Sequence, residues 1–257
     1  MDLSVDSEFP VGAGLGSSAA YSVSLAGAIF QALKPELCQD LNLITRWAFQ
    51  CERIFHGKPS GIDNSICTFG GAILYKDGKI VDRIPNLVNK EMVLVYTNVR
   101  RNTKALVQQA AERREKFPQL ISHTMDAIDS ASLEAWKSLK SSTEDDGKVI
   151  SFYSTIFIQQ FFRLINYQLF QQILVEMNQH LLQVLGAGHE KIDEVVKIAK
   201  SHGCSAKLTG AGGGGCVIIR MEKSANREQM MKDLQENSFK PWSLTVGGRG
   251  LTTTCLN

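Results

Sequence analysis

The stretch from Phe9 to Ala20 constrains this chain more than any other, because Gly12, Gly14 and Gly16 run into Ser17 and Ser18 and then a train of small apolar residues. Glycine admits φ > 0 and lets main-chain N–H groups approach a polyanion with no Cβ in the way. A helix starting near Ser17 adds its unpaired first-turn amides and the positive end of its dipole. The run therefore reads as a phosphate cradle. A glycine-rich turn capped by Ser17 is the plainer structural alternative. The run has no lysine at its end, which argues against a P-loop NTPase.

The surroundings of this run suggest strand, loop, helix. Leu3 to Phe9 alternates apolar and polar residues, the period of a half-buried strand. The helix from Ser17 to about Leu33 is apolar on nearly every side and is expected to be buried in the middle of its domain. A second helix, with Asp40 as N-cap, places Ile44, Trp47, Ala48, Cys51 and Phe55 in one stripe. Glu52 lies beside that stripe, and a carboxylate so placed needs a partner. Ala72 to Val81, turning at Asp77-Gly78, is a hairpin, and Met92 to Tyr96 a buried strand.

Farther on, Thr103 to Leu139 is helical in pattern, and Lys140 to Lys148 reads as a polar loop. Residues 149–175 are rich in Phe, Ile, Tyr and Gln. The polar residues interspersed there favour a packed or interface helix over a membrane span. Ile192, Val195, Val196 and Ala199 mark an amphipathic helix ending at Gly203. A second glycine run, Thr209 to Cys216, leads into a strand from Val217 to Ile219, and two such runs in one chain favour a nucleotide site.

At 257 residues the chain can bury a substantial core in one or two domains. Its net charge of +2 gives no excess that points to nucleic acid or an anionic membrane. The six cysteines follow no zinc-like spacing and suit reduced thiols in the cytoplasm, and no secretory signal is evident.

Between the glycine runs sits Glu52-Arg53-Ile54-Phe55-His56-Gly57-Lys58-Pro59-Ser60-Gly61-Ile62-Asp63-Asn64. Taken with Gly12 to Ala20 and Lys207 to Cys216, this segment resembles the mevalonate kinase family of the GHMP small-molecule kinases. The similarity runs in order from about Ser7 to Cys216. The glycine runs point to the superfamily, whereas P-S-G-x-D-N after Glu-Arg favours mevalonate kinases over galactokinases or homoserine kinases.

The resemblance implies an α+β, two-domain GHMP fold. It consists of a truncated S5-like first domain (1–88), a ferredoxin-like α/β sandwich (89–257) and a cleft between them. It further implies ATP- and Mg²⁺-dependent phosphorylation of the primary hydroxyl of mevalonate, a step of isoprenoid and sterol biosynthesis. Phosphoryl transfer is largely positioning and charge stabilisation, so the residue types present suit that chemistry. By the same resemblance Ser7, Gly12, Ala13, Gly14, Leu15, Gly16, Ser17, Ser18, Gly210 and Gly212 contact the nucleotide. Ser18 and Glu52 are Mg²⁺ ligands, Asp63 is the general base, and Ser60 and Thr103 lie near the substrate. A homodimer is implied, with neither a nucleic acid nor a membrane partner.

Blander readings stand beside these. Glu52 suits a buried arginine partner, Asp63 or Asn64 an Asx-turn or helix cap, Gly210 to Gly215 close packing, and His56 a packed side chain. Gly186-Ala187-Gly188-His189 looks like a family turn, or His189 simply starts a helix. Family members also carry Pro-Gly-Lys and Gly-Glu-His segments, neither of which occurs here. That lysine is expected beside the catalytic aspartate. The chain is thus expected to be an N-terminally incomplete member, with the 34–40 link short for the family and residues 149–172 unlike it. Another small alcohol as acceptor, or a non-catalytic nucleotide-binding protein, are the alternative functions.

Overall fold

The computed structural model describes residues 4–7, 15–85, 87, 90–100, 103–144, 167–222 and 224–253. The chain divides into two compact units, residues 1–90 with 245–257, and residues 91–244. The return of the last thirteen residues to the first unit adds to the division near residue 88 that the sequence suggests. Among the described residues, no helix is long and apolar enough to cross a membrane.

The first unit is helical, with one hairpin. Helix α1 (Ser17–Leu33) ends where Lys34 precedes Pro35, which disfavours the helical conformation at the residue before it. Helix α2 (Leu41–His56) is capped by Asp40, whose carboxylate accepts from the Leu43 N–H at 2.9 Å, and stops at Gly57 with φ 72°. Helix α3 (Ile62–Phe69) follows Gly61. Strands β1 (Ala72–Lys76) and β2 (Lys79–Ile84) then pair antiparallel. They are joined by Asp77 and Gly78 at φ 50° and 76°, as a type I′ turn requires.

The core of this unit is small. Val23 and Ala26 of α1 pack on Ile44 and Ala48 of α2, flanked by Phe30, Leu41, Cys67 and Leu251. Gly27 is where the C-terminal segment meets α1, since a Cβ there would stand 2.8 Å from the Leu251 side chain. The segment is tied in by hydrogen bonds from Leu251 N–H to the Thr68 carbonyl and from Gly71 N–H to the Gly248 carbonyl.

Three expectations fail in this unit. Ser4 to Ser7 are exposed and belong to neither sheet, so their alternation marks no strand; a strand exists only with a ladder partner. Helix α1 is covered on one side only, with Tyr21, Ile29 and Leu33 exposed. The buried stripe of α2 is the narrow row Ile44, Ala48, Glu52 at a spacing of four, the row that faces α1. Trp47 and Phe55 fall outside it and are 58% and 60% exposed. Trp47 turns its ring edge-on to Phe30 at 5.8 Å.

The second unit is built on a four-stranded sheet in the order β4-β5-β3-β6. Its strands are β3 (Lys90–Tyr96), β4 (Ser205–Leu208), β5 (Cys216–Arg220) and β6 (Lys240–Val246). Helices α4 (Thr103–Lys116), α5 (Pro118–Glu144), α6 (Tyr167–Val184) and α7 (Glu190–Ser201) lie between β3 and β4, and α8 (Arg227–Glu236) between β5 and β6. Strand β5 is antiparallel to both β3 and β4. This is the split β-α-β arrangement of a ferredoxin-like sandwich.

Alternate residues Val93 and Val95, Ala206 and Leu208, and Val217 and Ile219 share one buried cluster with Ile192 and Val195 of α7 and Met230 and Leu234 of α8. Helix α7 ends as expected, with Gly203 at φ 72° just beyond it. Helix α5 does not end at Leu139. It continues through Lys140 to Glu144, since neither Gly nor Pro intervenes before Gly147. Residues 145–166, most of the aromatic stretch, lie outside the described residues, and its end forms the start of α6.

Candidate active site

Gly16, at φ 73° and ψ 22°, is the left-handed residue that turns the chain into α1. No side chain caps this helix end among the described residues, and the first-turn amides of a helix have no intrahelical acceptor. Gly12, Ala13 and Gly14 lie outside the described residues; Leu15, Gly16, Ser17 and Ser18 are half-buried at the helix mouth. Ser7 is exposed.

One turn into the helix, polar side chains of α1 and α2 interlock. The Ser18 hydroxyl donates to Glu52 at 2.7 Å (Oε1) and 2.9 Å (Oε2), and the Ser22 hydroxyl donates to Oε1 at 3.0 Å. His56 Nε2 stands 3.0 Å from Ser18 Oγ and 3.7 Å from Glu52 Oε2. Glu52 is 5% exposed. Removing a carboxylate from water costs several kcal/mol, and two neutral hydroxyls offset only part of it. Among the described residues no arginine pairs with Glu52. The pair presents a hydroxyl oxygen and an anionic oxygen side by side, the donor set of a hard cation. Among the described residues no three His, Cys, Asp or Glu side chains gather as a metal cage. A cation here would therefore draw its remaining ligands from water and phosphate, as Mg²⁺ does.

Asp63 reaches the same place from α3. Gly61, at φ 84°, starts that helix, and Asp63 lies in its first turn, where the dipole favours negative charge. A Cβ built on Gly16 would stand 3.6 Å from Asp63 Cβ and Cγ, so the aspartate lies along the bare backbone at the mouth of α1. Cys67, one turn after Asp63, reports the local field. Burial first, then the charges of Asp63 and Glu52, push its thiol up to about 11. Both carboxylates thus converge on the open end of α1.

Ser60 is exposed; its hydroxyl accepts from the Ile62 N–H at 3.3 Å, and its carbonyl accepts from the Tyr75 hydroxyl at 2.9 Å. The turn before Asp63 is thereby pinned to the hairpin. A side chain at Gly61 would collide with that hydroxyl, at 2.7 Å. Asn64 is buried and donates to Thr45 Oγ1 at 2.9 Å.

In the second unit, Thr103 opens α4. Gly210 is exposed and Gly212 buried. A Cβ on Gly212 would stand 2.1 Å from the Ala187 carbonyl oxygen, and Gly213 N–H donates to that oxygen at 2.8 Å. Close packing leaves no room for a Cβ at either position, against the Ala187 carbonyl at Gly212 and the Leu106 side chain at Gly213. His189 is the N-cap of α7, its Nδ1 accepting from Lys191 N–H at 3.1 Å.

Ser22 and Cys67 are members of this constellation that the sequence reading passed over, and His56, a packed side chain on the blander reading, is exposed. The signal was a pair of i, i+4 spacings, Ser18/Ser22 on α1 and Glu52/His56 on α2, which put two polar residues on one face of each helix.

Comparisons with known proteins agree with this geometry. Residues 1–71 match the model for the GHMP kinases N terminal domain, and residues 158–239 that for GHMP kinases C terminal. The mevalonate kinase of Bos taurus is 38% identical, over 98% of this chain and 63% of its own length. That of Dictyostelium discoideum is 34% identical, over 99% of this chain and 67% of its own. The chain thus spans just under two thirds of the length of its bovine relative. Among solved structures, L. major mevalonate kinase in complex with R-mevalonate superposes with a TM-score of 0.71 at 23% identity, over 92% of this chain and 67% of that one, a likeness of fold. With the glycine run, the Glu52 segment and both domain models in the family's order, this chain belongs to the mevalonate kinase family of the GHMP kinases.

Proposed function

We propose that this chain transfers the γ-phosphoryl group of ATP to the primary hydroxyl of mevalonate, giving ADP and 5-phosphomevalonate. The observation that supports it most is the meeting of Ser18, Glu52 and Asp63 at the uncapped start of α1. Amides of Gly16 to Ser18, with Ser7 and the Gly12 to Leu15 run, hold the phosphates, and Gly210 and Gly212 are further nucleotide-binding residues by the family resemblance. Ser18 and Glu52 hold Mg²⁺, which when bound neutralises charge on the phosphates. Asp63 orients the substrate hydroxyl and accepts its proton as the O–P bond forms. Ser60 and Thr103 position the acceptor. We further place the chain in the cytoplasm, in keeping with the reduced thiols Cys38, Cys51, Cys67 and Cys204, and expect a homodimer, to be checked by sedimentation.

The test is a coupled assay of the purified chain with mevalonate, ATP and Mg²⁺, beside Asp63→Ala. The expected result is turnover by the parent and near-complete loss in the variant. Equal turnover by both removes Asp63 from the reaction. Phosphorylation of a different small alcohol in preference to mevalonate changes the acceptor.

A further inference from the structure

We propose that His56 is a positioning residue whose Nε2 accepts a hydrogen bond from the Ser18 hydroxyl when a cation occupies the Ser18–Glu52 pair. The inference rests on the reading of those two residues as cation ligands. As the side chains stand, the single Ser18 proton is shared between the two Glu52 oxygens, at 2.7 and 2.9 Å. A cation held by both residues must meet lone pairs from both, so that proton has to leave the line between them. A serine hydroxyl has one proton to place. His56 Nε2 lies 3.0 Å from Ser18 Oγ, on an exposed side chain one helical turn beyond Glu52.

A neutral imidazole serves both arrangements. With no cation, Nε2–H donates to Ser18 Oγ while Ser18 donates to Glu52. With a cation, the proton sits on Nδ1, Nε2 accepts from Ser18, and solvent at the exposed ring carries the exchange. Ser22, which keeps its 3.0 Å bond to Glu52 Oε1, steadies the carboxylate through the change. Glutamine is the conservative replacement, since its terminal amide can present either a donor or an acceptor; alanine can present neither.

The test uses Mn²⁺ in place of Mg²⁺ with a non-hydrolysable ATP analogue, following free Mn²⁺ by electron paramagnetic resonance in the parent, H56A, H56Q, S18A and E52Q. H56A is expected to weaken analogue-dependent Mn²⁺ binding roughly tenfold, the low end for a residue that orients a metal ligand. Binding of the analogue without metal should stay unchanged, and H56Q should recover most of the loss. Parent-like Mn²⁺ binding in H56A, or no recovery in H56Q, overturns the role of His56. Parent-like binding in both S18A and E52Q, or no Mn²⁺ uptake by the parent, overturns the underlying cation reading instead. Because His56 is exposed, its substitution leaves the core of the unit intact, and circular dichroism of each variant verifies this.

Discussion

The two units bury their apolar residues in different ways. In the second, alternate residues of β3, β4 and β5 meet Ile192, Val195, Met230 and Leu234 across a continuous cluster, most of it inaccessible to water. In the first, the buried cluster is four modest side chains on α1 and α2, while Ile54, two residues after the buried Glu52, is 83% exposed. Beyond that cluster α1 is held against α2 by the edge-to-face contact of Phe30 with Trp47 and by a polar network of Ser18, Ser22, Glu52 and His56. The difference teaches that the candidate site lies where apolar packing is thinnest. The facing sides of α1 and α2 hold oxygens together, whereas the faces of the second unit exclude water.

Substitutions that separate activity from stability sharpen this contrast. The largest effect is expected from Asp63→Asn, which should lower kcat by about 10²–10⁴-fold, the usual worth of a general base, with the thermal midpoint unmoved. Leu208→Ala, deep in the second core, should cost about 2–5 kcal/mol in urea unfolding. Ile54→Ala, on the first unit, should stay within about 0.5 kcal/mol. Equal losses from those two would erase the contrast. Asp40→Ala removes the α2 cap and should cost about 1 kcal/mol in the same measurement.

The smallest effect is a pH dependence at Cys67. Its thiol is held protonated above the ordinary value of about 8.5. The folded state therefore binds that proton more tightly than the unfolded chain does. The stabilisation is fully present below the ordinary value and is lost as pH rises through about 11. Urea midpoints between pH 8 and 11 should fall more steeply for the parent than for Cys67→Ala, and parallel slopes would show that the fold does not hold this thiol protonated.

Local chemistry was readable in the sequence wherever a few residues decide the backbone. Asp40 as a cap, Asp77-Gly78 as a turn and the Ser17 start of α1 depend on neighbours within four positions, and each stands where expected. Glu52 and Asp63, marked by motif order rather than periodicity, lie beside Ser18 and Gly16 at that start. Burial was less legible, because it depends on which element covers a face. The apolar character of Trp47, Phe55 and Leu33 says nothing of whether a partner lies over them. Nor does alternation from Leu3 to Phe9 supply a ladder. The tie between Leu251 and α1 spans more than two hundred residues and left no local signature beyond Gly27.

The central claim is that metal-bound phosphates rest at the open end of α1 between Glu52 and Asp63. Its most direct test is paramagnetic broadening of the ¹⁵N-labelled chain by Mn²⁺ with a non-hydrolysable ATP analogue. Amide signals of Gly16 to Ala20, Glu52 and Asp63 should be among the first lost as the complex is titrated in. Their persistence while signals elsewhere disappear would contradict the account.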